Sequence, residues 1–183
     1  QRSAPLRVIG HEFPVKRSLT INVNGLDKQI ETGGRIDRLD EIFVDNDIAR
    51  LRVVDYKTGG KAAESLKCVD DMFNPKFLSK KSDYTMQAML YSLIEAKDDS
   101  EHNPNHRAVS PALLFIQHAG SDDYTPVLSI DKEEVTDVTV YEEDFLRNLT
   151  EKLEEIHNPN IAFAPTDNTD SCKYCPYKQM CGR

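Results

Sequence analysis

The order of hydrophobic and polar positions divides the chain into an extended first part and a second part of mixed helix and strand. Residues 6–23 and 28–44 are rich in apolar and β-branched positions, and the Asn-Gly pair between them is typical of a hairpin turn. The glycine pair at 33–34 predicts a bulge or a close backbone approach within the second run. After a polar turn, residues 50–56 predict the third or fourth strand of a β-meander.

The second part of the chain contains apolar positions at helical spacing. Residues 61–73 are a weak helix candidate, residues 83–97 are a strong one, and residues 141–160 predict an amphipathic helix. Residues 111–117 and 125–130 predict two further strands. A meander followed by alternating helix and strand indicates one α/β or α+β domain that spans the chain.

Composition narrows the classes of protein that this pattern allows. The 183 residues suffice for one domain with a real core, and the net charge of −8 argues weakly against a nucleic-acid coat protein. It does not exclude an enzyme that gathers acids around a metal. Neither a membrane-spanning apolar run nor a signal peptide is visible, so we expect a cytoplasmic protein without a membrane partner. Because the chain does not begin with Met, we expect it to be a piece of a longer protein.

Charged side chains gather at the end of the predicted strand 50–56. Successive side chains of a strand point to opposite faces, so Asp55 and Lys57 share one face. If the strands on either side of the polar turn pair, Asp37 can approach Asp55. A divalent cation such as Mg²⁺ or Mn²⁺ relieves the repulsion between two carboxylates, and a lysine beside it stabilises charge on a phosphoryl group. The alternative is an ordinary Asp55–Lys57 ion pair, with Asp37 on a solvated face.

An ordered set of three motifs favours the first interpretation. The chain carries a G-x-x-D strand at 34–37, a D-x-K-T-G strand end at 55–59 and a Q-x-x-x-Y helix at 87–91. In this order they resemble the PD-(D/E)XK nuclease superfamily, specifically its RecB-like and AddB-like branch. The resemblance extends from about Glu12 to the C-terminus. It implies a restriction-endonuclease-like core, in which a central mixed β-sheet is flanked by helices.

The resemblance implies a role for each residue around the metal. Asp37 and Asp55 would ligate it, and the carbonyl of Tyr56 would complete the coordination. Lys57 would serve the nucleophilic water and the scissile phosphate. Glu12 lies in a stretch similar to the first-strand element of the branch, and is a further candidate ligand.

The helix motif contributes two more candidate site residues. Gln87 and Tyr91 lie one helical turn apart on the same face. The resemblance implies that they border the site and contact DNA or the catalytic lysine. Tyr91 has an alternative role as a core aromatic residue, whereas a long amide among apolar neighbours favours a function for Gln87.

The C-terminal segment 165–183 is a cysteine-rich tail. Cys172, Cys175 and Cys181 form a C-x-x-C-x(5)-C pattern, whose spacing is compatible with zinc or with an iron–sulfur cluster. The resemblance to AddB-type nucleases favours an iron–sulfur cluster in the intact protein, with a fourth cysteine upstream of the nuclease core. No cysteine precedes Asp37 here, and we expect Cys68 to be a small buried residue rather than the fourth ligand.

Together these features predict a Mg²⁺-dependent deoxyribonuclease, an exonuclease that works as a module of a DNA repair or recombination machine. The resemblance implies DNA as the substrate and a helicase region or subunit as a companion. The alternative is a catalytically inactive DNA-binding or scaffolding module on the same fold. Retention of Asp37, Asp55 and Lys57 favours the enzyme. Single-stranded and double-stranded substrates both remain open.

Overall fold

A computed structural model of the protein describes residues 5–97, 99–121, 123–166 and 169–183. Six main elements follow one another along the chain: β1 (Leu6–Val23), β2 (Leu26–Val44), β3 (Asp47–Lys57), α1 (Ser82–Glu95), β4 (Val109–Phe115) and α2 (Glu142–His157). A two-stranded ribbon of β5 (Ser129–Ile130) and β6 (Glu133–Glu134) accompanies them. Short 3₁₀ helices occur at Val69–Phe73, Pro75–Lys80, Ile116–His118, Val138–Tyr141 and Thr169–Cys172.

The first four strands form one mixed sheet in the order β1-β2-β3-β4. The pairs β1–β2 and β2–β3 are antiparallel, and β3–β4 is parallel. Helix α1 packs against β3 and β4, and α2 packs against β1. The expected α/β architecture, a mixed central sheet flanked by helices, is therefore confirmed.

Tight turns explain why the first three strands form a meander. The β1–β2 turn uses Asn24 and Gly25, and the β2–β3 turn uses Asp45 and Asn46. All four have positive φ, the conformation that two-residue hairpin turns require and that Gly, Asn and Asp adopt most readily. Both predicted turns are confirmed.

The glycine pair of β2 marks a close approach and not a bulge. Its register with β1 runs on without a shift, and the irregularities lie instead at Val8/Gly10 and at Ile42/Phe43. A Cβ at Gly33 would lie 2.1 Å from the carbonyl oxygen of Val15. The close approach is therefore confirmed and the bulge is wrong.

Three sequence-based element predictions need correction. Residues 61–73 do not form an α-helix, because the buried Leu66 makes an isolated bridge with Ile130 and only the last five residues turn into a 3₁₀ helix. The strand expected at 111–117 begins two residues earlier and ends at Phe115. Of the strand expected at 125–130, only Ser129–Ile130 pairs as a strand.

The core lies between the sheet and the two helices. Leu39 and Val53 of the sheet, Met89 of α1 and Phe145 of α2 are all fully buried within it. Burial of such side chains is the main favourable contribution to folding. Helix α2 begins with three acidic residues and ends with His157, an arrangement of charges that complements the helix dipole. None of the described helices is both long and apolar enough to cross a membrane.

Candidate active site at the end of β3

The register of β2 and β3 brings two carboxylates together. Arg38 pairs with Val54, so Asp37 and Asp55 occupy the next opposed positions. Directly opposed residues on neighbouring strands share a face. Asp37 is held there by the backbone, because the N–H of Tyr56 donates a hydrogen bond to Asp37 Oδ2 at 2.7 Å. The structure thus places Asp37 and Asp55 side by side, as the motif order predicted.

Asp55 is a buried carboxylate with an ammonium partner. Its side chain is 8% exposed, and Lys57 Nζ lies 2.5 Å from Asp55 Oδ2. Burial raises the pKa of Asp55 above its ordinary value, and the negative charge of Asp37 adds to that rise, whereas Lys57 opposes it. The two strand positions therefore share one face and interact directly.

Helix α1 supplies the other contact of Lys57. Lys57 Nζ donates to Gln87 Oε1 at 3.1 Å, and Gln87 Nε2 donates to Tyr91 Oη at 3.0 Å. The spacing of four residues puts Gln87 and Tyr91 on one face of the helix, as expected. A continuous polar chain therefore runs from Asp55 through Lys57 and Gln87 to Tyr91.

A glycine of the first motif accommodates the tyrosine of the third. A Cβ at Gly34 would lie 2.0 Å from Tyr91 Oη, a separation that no side chain tolerates without movement. Tyr91 is buried, yet its hydroxyl is hydrogen-bonded to Gln87, so it is both a core aromatic residue and a member of the polar chain. The G-x-x-D and Q-x-x-x-Y motifs are thus in direct physical contact.

The loop after β3 is held by the 3₁₀ helix that follows β4. Gln117 Nε2 donates to the carbonyl oxygen of Thr58 at 3.0 Å, and His118 Nε2 lies 2.7 Å from the carbonyl oxygen of Gly60. These contacts fix the chain that leaves the site. Gln117 and His118 could not be predicted from the sequence, because nothing local relates them to the D-x-K-T-G segment.

Two further residues at the site were missed. Lys57 Nζ lies 4.2 Å from the ring centroid of Tyr84, and Lys81 Nζ lies 4.9 Å from the same centroid. Tyr84 precedes Gln87 by three residues and Tyr91 by seven, so all three share one helix face. That spacing was visible in the sequence and could have identified Tyr84.

Glu12 lies apart from the polar chain. Its carboxylate pairs with Arg35 at 2.9 Å, and its side chain is 61% exposed. Its φ of 54° departs from the extended conformation of the strand. A role for Glu12 as a metal ligand stays a prediction.

The oxygen atoms at the site suit a hard divalent cation. Mg²⁺ is commonly held by only one or two carboxylates, with waters and substrate phosphate completing its octahedron. Asp37 and Asp55 are the two carboxylates at this site, and a role for the Tyr56 carbonyl as a third oxygen ligand stays a prediction. Within the described ranges no group of three or more His, Cys, Asp or Glu residues is arranged to hold a metal. The donor set therefore fits a cation shared with a substrate and not a closed structural site.

The cysteines are separate from this site. Cys172 and Cys175 are half-buried, Cys181 is exposed, and all are free thiols. Cys68 is also exposed, so its predicted burial is wrong. The neighbouring Leu66 and Val69 take the buried positions, which leaves Cys68 outside the core.

Comparison with known proteins agrees with this geometry. The family model of the PD-(D/E)XK nuclease superfamily matches residues 1–182. No curated protein and no solved structure is significantly similar to the chain. Members of the matched superfamily are generally nucleases that use divalent metals such as Mg²⁺ or Mn²⁺, with DNA as the substrate. Since the match covers nearly every residue, the chain belongs to the PD-(D/E)XK nuclease superfamily.

Proposed function

We propose that this protein is a metal-dependent deoxyribonuclease whose active site is the cluster Asp37, Asp55 and Lys57. The observation that carries the proposal is the presence of two opposed carboxylates and a half-buried ammonium on one face of the sheet, with Lys57 bridging Asp55 and Gln87. An ion pair alone would not require the second carboxylate, whose charge works against ionisation of Asp55. Asp37 is therefore the residue that distinguishes a site from an ordinary salt bridge.

Asp37, Asp55 and the carbonyl of Tyr56 would hold the cation in the proposed mechanism. When bound, a divalent ion lowers the pKa of water and stabilises charge on a phosphoryl group. Only the ionised form of Asp55 would ligate the cation. Because the pKa of Asp55 is raised, we expect metal affinity to fall as the pH falls through that pKa.

Lys57 and Gln87 act on the reacting groups in this proposal. The Lys57 ammonium has three donors, of which Asp55 and Gln87 account for two. The third is available to a phosphate oxygen or to the attacking water. Gln87 and Tyr91 orient the ammonium from the helix, and the charge of Lys57 stabilises the transition state electrostatically.

The finer assignment is to the RecB-like and AddB-like branch, with exonuclease activity in DNA repair or recombination. The order of the three motifs supports this assignment. A helicase region or subunit as partner and a cytoplasmic location are parts of the same proposal. Cutting single- and double-stranded DNA labelled at either end separates exonuclease from endonuclease activity and gives the polarity.

The cysteine tail is proposed to supply three of four ligands of an iron–sulfur cluster in the intact protein. Three free thiols in a C-x-x-C-x(5)-C pattern support it. Anaerobic purification of the full-length protein, followed by iron and zinc analysis, tests the assignment. We expect iron in the parent protein and its loss in Cys175→Ala. Stoichiometric zinc without iron would show that the tail forms a structural zinc site and not an iron–sulfur cluster.

The decisive experiment for the nuclease is DNA cleavage with Mg²⁺, with Mn²⁺ and with a chelator. We expect cleavage only with the metals, and its loss in Asp37→Asn and Asp55→Asn. Lys152→Ala is the matched control, because Lys152 is an exposed residue of α2 paired with Glu155. DNA binding without cleavage under all these conditions would identify an inactive binding module instead.

A further inference from the structure

One aromatic ring next to the candidate active site carries two ammonium groups. The ring of Tyr84 has Lys57 Nζ 4.2 Å from its centroid and Lys81 Nζ 4.9 Å from it. Attraction between a cation and the face of an aromatic ring stabilises such contacts. The ring thus brings Lys81 close to Lys57, although the two belong to different elements.

The two ammonium groups differ in how their charge is balanced. Lys57 has Asp55 as its counter-ion. For Lys81, no carboxylate among the described residues lies within salt-bridge distance. In a chain of net charge −8, a lysine held on a ring beside the site without a carboxylate leaves a local positive charge. That charge is available to an anion of the substrate.

The backbone of Lys81 is fixed at the point where α1 begins. Its φ and ψ are 65° and 38°, and its N–H donates to the carbonyl oxygen of Leu78 at 3.0 Å. Its own carbonyl oxygen accepts from the N–H of Thr85 at 3.1 Å. The side chain therefore starts from a defined position, and contact with Tyr84 limits where the ammonium can go.

We propose that Lys81 binds a second phosphate of the DNA strand, next to the phosphate that contacts Lys57, and that Tyr84 is the positioning residue for both ammonium groups. The proposal rests on the proposed function, which places the scissile phosphate at Lys57. A nucleic-acid strand presents a negative charge at each nucleotide, so two neighbouring cations match successive phosphates. A single small anion would need only one of them.

Binding of a fluorescent single-stranded oligonucleotide in a chelator tests the phosphate contact without cleavage. We expect Lys81→Met to bind several-fold more weakly than the parent, with a salt-dependence slope lower by roughly 0.7. Lys80→Met is the matched control, because its ammonium lies 5.4 Å from the ring of Phe77 and not on Tyr84. Parental affinity and slope in Lys81→Met would overturn the proposal.

Variants of Tyr84 test the positioning role. Tyr84→Phe keeps the ring, and we expect the salt-dependence slope of the parent. Tyr84→Leu removes the ring, and we expect the lower slope of Lys81→Met. We also expect its kcat at saturating DNA to fall, because the Lys57 ammonium loses its contact with the ring. An unchanged kcat and slope in a folded Tyr84→Leu protein would overturn the role of the ring.

The outcomes separate this proposal from the nuclease proposal. If Lys81→Met shows the lower salt slope but the parent protein does not cut DNA, the Lys81 site is supported and the nuclease proposal is overturned. Cleavage by a Lys81→Met protein with parental affinity, slope and KM would support the nuclease and overturn the Lys81 site.

Discussion

Asp55 and Glu95 are both buried carboxylates, and burial is the main reason that the pKa of each is raised. Their neighbours differ. Glu95 Oε2 accepts a hydrogen bond from Ser100 at 2.8 Å and has His102 Nδ1 at 3.4 Å, and both neighbours lower the pKa of Glu95. Asp55 has Lys57, which lowers its pKa, but it also faces Asp37, which raises it.

A buried carboxylate therefore plays a different part in each region: Glu95 stabilises a loop, whereas Asp55 belongs to the candidate active site. At Glu95 the local contacts fasten the loop after α1. The Glu95 carbonyl accepts from Asn103 Nδ2 at 3.2 Å, and the His102 ring packs tilted against the Phe13 ring, with the centroids 4.3 Å apart. Ser100 and His102 both relieve the buried charge of Glu95. At Asp55 the like charge of Asp37 remains, which a cation could relieve.

The largest expected effect separates the two carboxylate regions by activity. Lys57→Ala should reduce cleavage by about 10²- to 10⁴-fold while largely sparing metal binding, because the ammonium acts on the water and the phosphate. Glu95→Gln should stay within about twofold of the parent, a margin that is small on the scale of general acid–base effects. Single-turnover rates with metal titrations measure both. A parental rate in Lys57→Ala would leave this residue without a catalytic role.

The next effect probes the contact between the two motifs. Gly34→Ala should displace Tyr91 and with it Gln87, and a displacement of about 1 Å within a site can reduce the rate about 10²-fold. Gly120→Ala is the control, because no atom lies within 4 Å of the position of its added Cβ. The rate constants of the two variants, compared at saturating DNA, give the result. Equal rates would show that the close approach has no consequence for catalysis.

A third effect concerns stability and its pH dependence. The pKa of Asp55 is higher in the folded than in the unfolded state. The contribution of this residue to the free energy of unfolding is therefore fully present below its ordinary pKa, and it is lost as the pH rises through the folded pKa. Asp55→Asn should therefore raise the unfolding midpoint at pH 7, and the difference should close towards pH 3. A gain of about 1 kcal/mol corresponds to roughly 2–4 °C for a domain of this size. A lower midpoint at pH 7 would show that the ion pair with Lys57 outweighs burial.

The smallest effect is expected for the stability of Glu95→Gln. We expect the unfolding midpoint to rise, as for Asp55→Asn, because burial also raises the pKa of Glu95. The gain should be smaller, since Ser100 and His102 already relieve the carboxylate of Glu95 and, among the described residues, no second carboxylate raises its pKa. Thermal unfolding of both variants between pH 4 and pH 7 measures the ranking. A larger rise of the unfolding midpoint in Glu95→Gln than in Asp55→Asn would contradict this ranking.

Local patterns predicted the meander well because its turns are short and its strands are neighbours in sequence. The segment 61–73 was misjudged because a long-range bridge between Leu66 and Ile130 overrides its weak helical spacing. The proximity of Asp37 to Asp55 followed from strand pairing alone. The meeting of Lys57 and Lys81 on the Tyr84 ring did not, because it depends on how α1 packs against β3.

The strand pairing of the site has a consequence for the order of folding. The β2–β3 register ends at Arg38–Val54, whereas β3 pairs with β4 through Asp55, Tyr56 and Lys57. Hairpins close early, but a parallel partner that arrives only after α1 must close a long loop first. The meander can therefore assemble before β4 pairs with the end of β3 and completes the candidate active site. Pulse-labelled hydrogen exchange should find the amides of β1 and β2 protected before those of β4, with cleavage competence appearing at the later step.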